Sequence, residues 1–83
     1  MSKIVNRTMD VFELFAREAR PLSLSEVAKL LDIPISSCHD VLQTLEDLGY
    51  LYQLGSRGGY YPTLRLQAIM GQIVEEDPVL RHA

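Results

Sequence analysis

Residues 23 to 49 constrain this chain more than any other stretch, because they hold two amphipathic helical segments with only three or four residues between them. Helices joined that tightly must cross and pack on each other. Ser23-Leu24-Ser25-Glu26 has the form of a capping box, in which the Ser23 hydroxyl accepts from the Glu26 amide and the Glu26 carboxylate accepts from the Ser23 amide. A helix starting there presents Leu24, Val27, Ala28 and Leu31 to a core and stops near Asp32-Ile33-Pro34. The next helix begins between Pro34 and Ser36 and runs to Leu48, where Gly49 supplies a stop. With Cys38 set at the centre of its core stripe, Val41, Leu42, Leu45 and Leu48 fall on the same side and are expected to be buried.

The flanking segments complete the pattern. Val5, Met9, Phe12 and Ala16 recur at helical spacing ahead of Pro21, and Val11 and Phe15 widen the stripe. The apolar and small residues of this first helix span about 220° of arc, more than one core face requires. Arg20-Pro21-Leu22 then reads as a short extended connection. Behind Gly49, the runs Tyr50 to Leu54 and Tyr60 to Pro62 flank a glycine-rich turn and predict a hairpin. A last helix is expected from about Leu64 to Val74, with Leu66, Ile69, Met70, Ile73 and Val74 on one stripe and a break at Glu75-Glu76-Asp77-Pro78. The fold class that follows is mostly α with a small β-hairpin: a winged helix-turn-helix, made of a three-helix core plus a wing, followed by a linker helix. Residues 1–63 form the first unit and residues 64–83 the linker and what comes after it.

At 83 residues the chain has room for one domain. A hydrophobic share of 47% argues for a packed globule. No run approaches the roughly 18 apolar residues of a membrane span and no leader opens the chain, so a cytoplasmic location is expected. The single Cys38 sits among core-spaced residues and reads as a small buried hydrophobe. Adjacent helical residues point about 100° apart, so Cys38 and His39 cannot make a nucleophile and base pair. One cysteine with histidines at 39 and 82 offers no zinc spacing. No enzyme activity and no cofactor are expected. The net charge of −3 is unlike that of most nucleic-acid binders, and residues 32–49 carry four acids and no Lys or Arg.

Opposite the core stripe of the third helix lie Ser36, His39, Asp40 and Gln43, with Ser37 and Thr44 on one flank. Glutamine can bond an adenine edge through two hydrogen bonds, serine can serve either kind of base edge, and histidine can donate to guanine or phosphate. Ser37 and Thr44 suit phosphates. Arg57, in the turn of the hairpin, is placed to enter a minor groove or lie along a backbone. A solvated helix face and an ordinary loop arginine would read the same way residue by residue. What favours nucleic acid is the order of the parts: capped helix, tight turn, amphipathic helix, glycine, aromatic hairpin with an arginine at its tip.

The string from Arg20 to Ala28, with that from Leu31 to Leu51, closely resembles the reader domain of the IclR family of bacterial transcription regulators, and the likeness extends to Arg7 and to Tyr61 through Leu66. The resemblance implies a third helix in the major groove, a wing on the backbone, and DNA contacts from Arg7 and Ser25 beside those named above. It also implies a final helix leading to a separate small-molecule-sensing domain, with Asp77 to Ala83 as the start of that domain's first helix. Ile35 and Asp40 depart from the family pattern, standing where a basic residue is common. The spare apolar arc of helix one and the stripe of the last helix predict a homodimer on a pseudo-palindromic double-stranded DNA operator. The competing expectation is a winged helix that binds another protein, which an acidic third helix would suit.

Overall fold

The computed structural model describes residues 2–55, 57–76 and 78–81. Five helices and one hairpin follow in the order α1 (Lys3–Glu18), α2 (Leu24–Leu31), α3 (Ile35–Asp47), β1 (Leu51–Gln53), β2 (Tyr60–Pro62), α4 (Arg65–Glu76) and α5 (Pro78–Arg81). This is the winged helix-turn-helix that the pattern predicts.

Each helix boundary has a local cause. Ser2 caps α1 by accepting from the Val5 amide at 3.2 Å, and the helix ends at Ala19 in the left-handed region, φ 54°, whose amide donates to the Phe15 carbonyl at 2.9 Å. The capping box at α2 forms in full, the Glu26 amide donating to Ser23 Oγ at 3.1 Å and the Ser23 amide to Glu26 Oε1 at 3.0 Å. Asp32 takes the left-handed cap at the far end, φ 53°, a conformation its short polar side chain tolerates. Pro34 precedes α3 without a side-chain cap. Its end is closed by Gly49 at φ 88°, with the Gly49 amide on the Glu46 carbonyl and the Tyr50 amide on the Leu45 carbonyl at 2.8 Å.

Three helices and the hairpin meet around one core. Val11, Leu14 and Phe15 come from α1, Val27 and Ala28 from α2, and Cys38, Leu42 and Leu45 from α3, with Leu22, Leu51 and Tyr60 closing it on the wing side. Fully burying a leucine such as Leu14 or Leu42 contributes about 1.5–3 kcal/mol. The hairpin pairs Leu51 with Pro62 and Gln53 with Tyr60. Leu22 bridges to Tyr60 through two backbone bonds of 3.0 and 2.7 Å, so the extended connection ahead of α2 lies along β2 as a one-residue third strand. Phe15 meets Tyr61 edge to face at 6.0 Å and ties α1 to the same strand.

Three expectations need correction. Leu48, expected inside, is 55% exposed: it lies at the edge of the α3 stripe, at the open end of the groove it lines with Ile4 of α1, which is exposed as well. Val41, on the same edge, is half-buried, as are Leu24 and Leu31 of α2. The last helix, expected to break over Glu75-Glu76-Asp77-Pro78, continues through Glu76, since two glutamates do not break a helix, and Pro78 opens α5; Asp77 lies outside the described residues. His82 and Ala83, read as part of a following helix, also lie outside them, while Pro78–Arg81 is helical.

Candidate nucleic-acid interface

The outward face of α3 divides into two flanks. On one, Ser37, Asp40 and Thr44 look across a groove of about 430 Å³ toward Arg7 and Thr8 of α1, over a floor that includes Val41 and Leu45. Arg7 and Ser37 are half-buried there, whereas Asp40 and Thr44 are exposed. On the other flank, Gln43 is half-buried rather than exposed, because its amide is held: Nε2 donates to Asp47 Oδ1 at 3.0 Å and to Glu46 Oε1 at 3.3 Å. Ser36 and His39 are exposed between or beside these groups, and His39 Nδ1 stands 4.0 Å from Asp40 Oδ1, a distance without a close hydrogen bond.

Gln53 of β1 connects this helix to the wing by donating from Nε2 to Glu46 Oε1 at 3.2 Å. The same Gln53 lines a notch of about 240 Å³ between the first turn of α2 and the hairpin, together with Ser25 and Arg57. Ser25 and Arg57, 32 residues apart in sequence, are therefore neighbours, with the first turn of a helix beside a cation. Gln43, Glu46, Gln53, Ser25 and Arg57 form one continuous polar surface running from α3 onto the wing.

Sequence reasoning missed Gln53, because its role depends on which strand residue faces α3, a matter of hairpin register. It also missed Arg20, which braces α2 from outside: Nη1 donates to Glu26 Oε2 at 2.8 Å, and Glu18 Oε1 lies 3.4 Å from Nη2. The Glu26 carboxylate, accepting from the Ser23 amide and from Arg20, titrates below its ordinary range. The Arg20 guanidinium is raised in turn, chiefly by its hydrogen bond to Glu26. At the other end of the wing, Thr63 donates to the Gly49 carbonyl at 2.7 Å and accepts from the Arg65 amide at 3.2 Å, while the Arg65 guanidinium sits 5.4 Å from the Tyr50 ring centre.

Cys38 is buried, its thiol directed at the Leu24 carbonyl at 3.8 Å, and desolvation pushes its pKa up. That is the setting of an inert core thiol. Among the described residues no group of three His, Cys, Asp or Glu could hold a metal ion.

This arrangement has a match among known families. Residues 5–55 match the IclR helix-turn-helix domain, from the middle of α1's first turns to the tip of the wing. The chain belongs to the IclR family. It is similar to the HTH-type transcriptional regulator XynR of Escherichia coli (strain K12), with 31% identity over 62 residues, which make up 75% of this chain and 25% of that protein. The chain thus corresponds to a quarter of the length of this relative. What the IclR match establishes is a helix-turn-helix DNA-binding domain of a transcription-regulator family, not of an enzyme family. No helix among the described residues is long and apolar enough to cross a membrane.

Proposed function

We propose that this chain is the operator-reading module of an IclR-type regulator, with α3 in the major groove and the wing on the flanking backbone. The observation that carries this reading is the continuous polar surface from Gln43 through Gln53 to Ser25 and Arg57, since a duplex lying on α3 would meet the notch at its next phosphates. Ser36, His39, Asp40 and Gln43 would face base edges; Ser37 and Thr44, opposite Arg7, would meet one strand, and Ser25 with Arg57 the other. Two copies, paired through the exposed parts of α1 and α4, would set two reading helices about 34 Å apart on a pseudo-palindromic site. The module would act wherever the cell keeps its DNA, in a bacterium the cytoplasm. Any small-molecule effector would act through a separate sensing domain.

Gel-shift titration at low salt against fragments upstream of the regulator's own coding region tests the reading directly. Binding should weaken with salt, and Arg57→Ala should reduce the slope of log affinity against log salt by about one unit while weakening all sites alike. An unchanged slope would remove Arg57 from the DNA. The four acids between residues 32 and 49 favour one second reading, a winged helix that binds a protein; absence of any shift at low salt would select it.

A further inference from the structure

A glutamine side chain ends in two N–H hydrogens and one carbonyl oxygen, and in Gln43 both hydrogens are already engaged by carboxylates one turn further along α3, those of Glu46 and Asp47. Glu46 is itself fixed from the wing by Gln53. To read adenine with two hydrogen bonds, a glutamine must donate to N7 while accepting from the N6 amino group. Turning the amide to reach N7 would give up two bonds for one, a loss even with neutral acceptors and a larger one with ionised carboxylates, whose bonds are roughly twice as strong, so the amide stays where it is. Only Oε1 remains free, and it can accept from the amino group of adenine or of cytosine. Guanine and thymine offer only acceptors on their major-groove edges.

We propose that Glu46 and Asp47 are positioning residues that hold Gln43 as a one-bond acceptor, so that the base it faces is chosen as adenine or cytosine against guanine or thymine, and not as adenine alone. The proposal rests on the DNA-reading role given above and adds to it a specificity device. Its consequence is that a readout expected from residue type, adenine through two bonds, is switched off by two acids that would never touch the base. Releasing the clamp should narrow the preference to adenine.

The test compares two double variants with the same change of charge: E46A with D47A, which removes both acceptors, and E46Q with D47N, which keeps a carbonyl at each position. Duplexes are selected from a random pool, and single-base competition is run at the position whose preference vanishes in Gln43→Ala. The wild type and the Gln/Asn double should hold adenine and cytosine within roughly threefold of each other and disfavour guanine and thymine about tenfold; the Ala/Ala double should favour adenine over cytosine about tenfold. An Ala/Ala double with the wild-type adenine-to-cytosine ratio, or a wild type that already selects adenine alone, would overturn the proposal. A second measurement needs no DNA. The side-chain amide signal of Gln43 in a nitrogen–proton correlation spectrum should move in the Ala/Ala double and stay near its wild-type position in the Gln/Asn double. An unmoved signal in the Ala/Ala double means there is no clamp in solution and overturns the proposal whatever the pool shows. A wild type that selects no duplex while its amide signal still reports the clamp overturns the DNA-reading role, and the base preference falls with it.

Discussion

Helices α3 and α4 are nearly the same length, 13 and 12 residues, and each carries an apolar stripe at helical spacing, yet they end in opposite states. In α3 the stripe is buried at Cys38, Leu42 and Leu45. In α4 no residue is buried: Leu66 and Ile69 are half-covered, and Met70, Ile73 and Val74 are about half exposed. The difference comes from what stands opposite. Two short loops fold α1 and α2 onto α3, whereas the main contact of α4 is with the short α5 that follows it, which leaves none of its stripe buried. Periodicity in a sequence therefore announces that a face needs a partner without saying whether the same chain supplies it. The N-terminal turns of α1 behave like α4, with Ile4, Val5 and Met9 all more than half exposed.

The comparison can be broken by mutation. Leu42→Ala, which empties a fully buried site, should destabilise the fold by about 3 kcal/mol in denaturant titrations, while Ile73→Ala should change it by less than about 0.5 kcal/mol. Comparable losses at both sites would mean that α4 is packed in solution. Next in size is the effect on association. If the α4 stripe pairs with a second copy, sedimentation at high concentration should show a dimer that Ile69→Asp with Ile73→Asp abolishes; identical monomers in both would assign α4 the role of a tether. Thr63→Ala probes the point where α4 leaves the wing, and losing its bonds to the Gly49 carbonyl and Arg65 amide should cost about 1 kcal/mol in the same titrations. The smallest effect concerns the polar side of α3. Asp40 is 87% exposed, with His39 Nδ1 4.0 Å away, and Asp40→Asn should leave stability unchanged while tightening non-specific DNA binding a few-fold, as read by filter binding. Collapse of binding would instead give Asp40 a specific base contact.

Local chemistry made the architecture legible. The capping box, the glycine behind α3 and the aromatic runs around a glycine turn each act within four or five residues, and each produced the expected element. What sequence could not supply depends on distant neighbours. Leu48 satisfies the stripe but sits at its uncovered edge, and the clamp on Gln43 arises because helical spacing sets Glu46 and Asp47 one turn away while hairpin register brings up Gln53. The candidate contact residues were legible as residue types on one helix face and one turn; that Ser25 and Arg57 share a notch, and that Arg7 looks across at Asp40, required the packed chain.

The bridge between Leu22 and Tyr60 bears on how this domain could be taken apart. At Gly59, φ is 83° and a Cβ would lie 2.7 Å from the Leu22 carbonyl carbon, so the hairpin passes against the backbone ahead of α2 too closely for any side chain. The angle of the wing is thus set from outside the hairpin, by a residue nearly forty positions upstream. Anyone transplanting this wing to another reader, or exchanging wings between relatives to alter flanking contacts, would need to carry Leu22 and its extended backbone along with residues 50 to 63. The smallest portable piece is discontinuous in sequence, and it reaches Ser25 as well, because Arg57 near the tip lines the same notch as the first turn of α2.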